Sequence, residues 1–392
     1  MKATLTRRGF LLGLPAAAAG DWPAASLRER ESSRAALDAV FGYIQGTAAH
    51  GGLLVVRQGR LLYERYYGLG HREATPNLAS VGKSITSVAV GILLEQHRAR
   101  FPLGLDQKVS TPEFLPAAAF PLPDPGRAEI KLGHLLAMSA GIRGNNPCQI
   151  SGQPVDISPA GPDGWEAMVD EVAFGKRDAG RLSTVSLWCE PGGGYSYATS
   201  SIHLASVVLR TVAGMELAHY VARHLAEPLG WSGWGYGYRN RPLAHTPGGG
   251  GICLRAADLA SFAYLLLRQG RWGSRQIVPE DYIRRCSQAS PYNPHYPYSL
   301  QFDVNSTGHL SGAPRDAYWK SGSGGHAFYI VPSLDLVAVK LGGRDEQYDP
   351  ANTGLAPSPN AGAPPAGAWK ASVEQGVAVR ETLRRLVAAA RA

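Results

Sequence analysis

The chain has 392 residues, 44% hydrophobic and 18% charged, which is ample length to bury one large core or two closely joined ones. Its net charge of +8 comes without a long basic run, so nucleic acid is not an expected partner and the charge reads as a diffuse, solvated surface. Arginine outnumbers lysine 31 to 8, so the position of each lysine carries information.

Residues 1–25 read as an export signal. Arg7 and Arg8 stand before Phe10, Leu11 and Leu12 in the pattern of a twin-arginine leader, and small residues follow an apolar run too short to cross a membrane. No other stretch reaches spanning length, so the expected mature protein is soluble, without a membrane span, and periplasmic or secreted. Cys148, Cys189, Cys253 and Cys286 fit an oxidising compartment and allow three full disulfide pairings. Neither the cysteines nor the histidines show metal-ligand spacing, so no metal and no cofactor are expected.

An amphipathic helix is predicted over residues 27–46, followed by two β-prone runs around Gln58 and Gly59, a hairpin signal. Val81, Ile85, Val88, Ala89, Ile92 and Leu93 recur at three- and four-residue steps, which predicts a helix over 80–96 with one buried face. Residues 101–127 read as proline-rich loop, 132–141 as a short helix with a glycine stop, and 142–165 as a loop of binding-site length. Helices follow at 200–214, 216–228 and 256–269, with a flexible glycine run at 248–251. Strands are predicted near 317–322, 327–332 and 334–341, with a turn at Pro332 and Ser333. The Pro, Ala and Gly-rich residues 349–369 read as exposed loop before a last helix at about 370–390. Strands at both ends and helices between predict an α+β fold: an antiparallel sheet flanked by helices, with an inserted mainly helical domain. The expected parts are 26–105 and 245–392 for the α/β domain, and 106–244 for the helical one.

Ser80 and Lys83 are three apart at the start of the 80–96 helix, so their side chains share one spot. A hydroxyl beside an amine kept neutral by burial is a nucleophile beside a base. Gly82-Lys83-Ser84 also imitates the end of a phosphate-binding loop, but that motif needs glycine where the chain has Asn77. No G-x-S-x-G nucleophile elbow is present either.

Two later segments join Ser80-x-x-Lys83 in order: Tyr197-Ala198-Thr199 after a glycine turn, and Lys320-Ser321-Gly322 at a strand end. With residues 135–142, 228–231 and 250–260, they resemble the serine β-lactamase and penicillin-binding superfamily. The likeness covers nearly the whole mature chain and lies with the class C-related branch, which includes esterases, D-amino-acid peptidases and 6-aminohexanoate-dimer hydrolases. It implies a serine β-lactamase-like fold and an exported serine hydrolase that cleaves a small-molecule ester or amide through an acyl-enzyme on Ser80. Lys83 or Tyr197 is implied as general base, and Lys320 as the group that holds a substrate carboxylate or favours the Tyr197 phenolate. Ser321, Gly322 and Ser323 would edge the oxyanion site, with the Ser323 N–H joining that of Ser80. Thr199 departs from the family's asparagine and brings a hydroxyl instead of an amide, which favours small esters or linear amides over cephalosporins. A D-Ala-D-Ala carboxypeptidase or β-lactamase, and a penicillin-recognising module without turnover, stand as alternatives. His326 is a candidate pocket residue.

Overall fold

Ser26 and Glu29 cap each other's backbone at the start of α1 (Leu27–Gln45), a reciprocal pair that satisfies helix N–H groups. The chain then turns back on itself through β1 (Gly51–Arg57) and β2 (Arg60–Tyr67). Gln58 and Gly59 both have positive φ there, 52° and 71°, the backbone that a two-residue hairpin of right-handed twist requires. The computed structural model describes residues 22–144, 148–155, 165–178, 184–237, 243–350 and 373–392. Arg7, Arg8 and most of the predicted 349–369 loop lie outside the described residues.

The sheet is completed from the far end of the chain by β3 (Asp303–Val304), β4 (Tyr318–Gly322), β5 (His326–Val331) and β6 (Leu336–Leu341). Its order is β2-β1-β6-β5-β4-β3, antiparallel throughout, so β1 pairs directly with β6. Between the halves run α2 (Gly82–Gln96), α3 (Leu132–Leu136), α4 (Asp170–Ala173), α5 (Thr199–Ala213) and α6 (Ala256–Leu267); α7 (Gln375–Arg391) closes the chain. Alternation along the strands feeds two cores. Leu53, Val55, Trp319, Tyr329 and Ala338 face α1 and α7, whereas Leu54, Val56, Tyr318, Phe328 and Val339 face α6 and the helical layer around α2 and α5.

Several expectations need correction. The 80–96 segment buries more than one face: every residue from Gly82 to Leu93 is buried, because the helix runs through the middle of the larger core. Ser80 lies on a separate 3-10 turn, Ala79–Val81, ahead of α2. The 142–165 loop contains a small hairpin, Cys148–Ile150 with Gln153–Val155. The 216–228 helix is interrupted by a π-helical turn at Ala222–Ala226, and the glycine run at 248–251 is packed and buried. All four cysteines are free thiols, with Cys148, Cys253 and Cys286 buried. Among the described residues no single helix is long and apolar enough to cross a membrane.

Candidate active site

Ser80 owes its position to a strained turn. Ala79 has φ 49°, a left-handed conformation that costs a non-glycine residue energy, and Asn77 Oδ1 steadies it by accepting from the Ala79 N–H at 3.0 Å. Lys83, one turn on and 1% exposed, places Nζ 3.0 Å from Ser80 Oγ. The same Nζ donates to the Gly249 carbonyl at 2.5 Å. That contact needs glycines: a Cβ on Gly82 would lie 3.1 Å from Gly250 Cα, and one on Gly250 would lie 2.8 Å from Ala79 O.

Tyr197 stands two residues before α5, and Lys320 lies on β4. Lys320 Nζ donates to Tyr197 OH at 3.0 Å and to Tyr298 OH at 2.6 Å. Burial holds the Tyr298 phenol well above the ordinary tyrosine range, so it keeps its proton and donates it to Gln301 Oε1 at 2.9 Å. Gln301 is itself fixed, Nε2 donating to Leu136 O and its carbonyl accepting from Ser84 on α2. Both lysines stand over the Tyr197 ring, Nζ to centroid 5.2 Å for Lys83 and 4.6 Å for Lys320. Burial pulls the Lys320 ammonium down, with Asp303 opposing and Lys83 adding to the fall. Asp303 is pushed up by the same burial, against the pull of Lys320 and Arg380.

The end of β4 forms the third wall. Ser321 is half-buried and pairs with Ala327, and Ser323 is exposed at the turn. A Cβ on Gly322 would fall 2.1 Å from Leu78 O and 3.1 Å from Ser80 N, so only glycine lets this strand end lie against the Ser80 turn. Two glutamines brace it. Gln347 Nε2 bridges Ser323 O and Asn77 O, while Gln375 accepts from the Gly324 N–H and donates to Gly322 O. Thr199 is buried as the first residue of α5, in line to meet Gly249: a Cβ there would come 2.2 Å from its Cγ2. His326 does not line the site. It is fully buried on β5, accepts at Nδ1 from the Gly342 N–H, and burial pulls its ring down to about 3.

The structure thus gathers Ser80, Lys83, Tyr197, Lys320, Gly322 and Thr199 at one place. Sequence reasoning missed Gly249, Tyr298, Gln301, Asp303, Gln347 and Gln375, which hold those six. The glycine run at 248–251 was the one available signal.

A family model named Beta-lactamase matches residues 37–356, a span that takes in all three converging segments. The chain belongs to the beta-lactamase family. This beta-lactamase-family chain is 33% identical over 233 residues to "Esterase EstB" of Burkholderia gladioli, a match spanning 55% of the chain and 54% of that protein. The chain therefore spans about half the length of this curated relative. Its fold is similar to that of "EstCE1, a hydrolase with promiscuous acyltransferase activity", with TM-score 0.61 at 18% identity over 92% of this chain and 100% of that one. It is also similar to a penicillin-binding protein homologue from Caulobacter crescentus, with TM-score 0.60 at 14% identity over 94% and 98% of the two chains.

Proposed function

We propose that the protein is a serine hydrolase of esterase or amidase type that works through an acyl-enzyme on Ser80. The observation that carries this is the convergence of Ser80, Lys83, Tyr197 and Lys320, with Lys83 Nζ 3.0 Å from Ser80 Oγ and Lys320 Nζ 3.0 Å from Tyr197 OH. Ser80 Oγ attacks the substrate carbonyl carbon while its proton passes to Lys83 or Tyr197. The carbonyl π pair moves onto oxygen, and the N–H groups of Ser80 and Ser323 receive that charge; losing one such donor typically costs about 3–4 kcal/mol. When the intermediate collapses, the alcohol or amine leaves with the proton. Water then repeats the sequence on the Ser80 ester and releases the acid.

Small neutral esters suit the site best. Lys320 is 2% exposed and its ammonium is engaged by two phenols, so it is poorly placed to meet a substrate carboxylate. Thr199 offers no side-chain amide. The esterase name of the Burkholderia gladioli relative points to ester substrates as well. We further infer export by the twin-arginine route, on the strength of Arg7 and Arg8 before an apolar run.

A fluorophosphonate probe tests the reading. The native protein is expected to label once, and Ser80→Ala not at all. Equal labelling of that variant would overturn the assignment. Turnover of p-nitrophenyl esters without nitrocefin cleavage is the expected substrate profile. A single burst of product with no steady state would instead identify a binding module.

A further inference from the structure

Behind Lys83 lies a second, buried set of polar groups that no step of the proposed reaction uses. His203, on the inner face of α5, is 0% exposed. Its Nδ1 accepts from the Gly248 N–H at 3.2 Å. With Nδ1 accepting, the ring proton sits on Nε2, which donates to Asp170 Oδ1 on α4 at 3.0 Å. Burial works against the charge of Asp170, but the bonds from His203 and Arg210 outweigh it and hold its carboxyl down at about 2. A charged acceptor on one side and an N–H on the other fix a single tautomer of the ring.

Gly248 is gripped from a second direction. Its carbonyl accepts from Thr86 Oγ1 on α2 at 2.8 Å, one turn beyond Lys83. A Cβ on Gly248 would lie 2.2 Å from Ser206 Oγ, so the segment sits flush against α5. The next carbonyl along the chain is that of Gly249, the acceptor for Lys83 Nζ. We propose that His203, oriented by Asp170, is a positioning residue that sets the Gly249 carbonyl and through it the direction of the Lys83 amine toward Ser80. The inference rests on the acyl-enzyme reading, in which Lys83 Nζ must lie where the Ser80 proton passes. His203 touches neither substrate nor Ser80, so its whole effect runs through the backbone of Gly248 and Gly249.

Two side chains separate the ring nitrogens. Asparagine places its carbonyl oxygen where Nδ1 stands, whereas glutamine reaches only the position of Nε2. Each variant is titrated with fluorophosphonate and its p-nitrophenyl acetate kinetics are expressed per competent Ser80. His203→Gln is expected to lower kcat about tenfold or more with KM within about twofold, since small misplacements of a reacting group are that costly. His203→Asn is expected to recover most of that loss. Thr86→Val, which removes the other grip on Gly248, is expected to lower kcat with KM unchanged, and it decides the matter if the His203 variants fail to fold. Native kcat in both His203→Gln and Thr86→Val, or equal losses in the Asn and Gln variants, would overturn the proposal. Lys83→Met serves as the control: its keeping the native rate would sink the acyl-enzyme reading itself, a result distinct from any of these.

Discussion

Lys320 has a neighbourhood that bears on its two suggested roles. The ammonium is enclosed, with one phenol that keeps its own proton, Tyr298, and one that faces Ser80's lysine, Tyr197. A cation placed beside a phenol favours its ionised form, and we propose on that ground that Lys320 supports Tyr197 and the proton relay. Lys320→Met should therefore lower kcat about a hundredfold on neutral and carboxylate-bearing esters alike, with little change in KM, as for a group acting in the transition state. A KM rise confined to the carboxylate-bearing ester would show that Lys320 binds that group instead. Tyr298→Phe removes one acceptor but not the charge, so a milder loss of about threefold is expected, worth under 1 kcal/mol. The two variants assayed together separate charge from placement.

At the scale of the elements, the site depends on backbones approaching closely enough to share bonds. A methyl on Gly249 would meet Thr199 Cγ2 at 2.2 Å, so Gly249→Ala should displace the carbonyl that holds Lys83 and cut kcat about tenfold or more. Thr199→Ser deletes that Cγ2, and adding it to Gly249→Ala should restore part of the loss, a non-additivity read in a double-mutant cycle. Strict additivity would mean that the two residues do not press on each other. This geometry also explains what was legible in the sequence. Ser80, Lys83, Tyr197 and Lys320 stand in local motifs at turn or element ends, and the strands and longer helices declare themselves by period. Tyr298, Gln301, Gln347 and Gln375 lie in stretches without a motif, and each acts through long-range bonds that only the folded chain creates. Gly248 to Gly251 gave a signal of the wrong sort, because glycine serves close approach as well as flexibility. The burial of α2 on all sides was likewise beyond a reading based on one apolar face.

For the molecule as a whole, β1 and β6 join strands from distant parts of the chain, and one end of that join carries an unusual residue. Lys340 on β6 is fully buried, pairs across the sheet with Leu53 and Ala327, and donates to the Gly325 carbonyl at 2.6 Å. Burial brings its ammonium down from 10.5 to about 7. Below pH 7 both folded and unfolded chains hold the proton, and the folded one bears the full cost of burying it. Between pH 7 and 10.5 the unfolded chain holds a proton that the folded chain has released, so this residue makes stability rise with pH across that window. The slope cannot exceed about 1.4 kcal/mol per pH unit for one group. Lys340→Met keeps the length of the side chain and removes the titration, so urea midpoints of native protein and variant at pH 7, 8.5 and 10 isolate it from Lys320 and every other shared group. The variant should lose ground against the native protein steadily as pH rises, because the native chain is relieved of its buried charge; the Gly325 carbonyl, left without the Lys340 donor, adds an offset that is the same at every pH. Parallel profiles, offset but equal in slope, would mean that Lys340 does not titrate in this window and that this strand end tolerates a buried charged lysine.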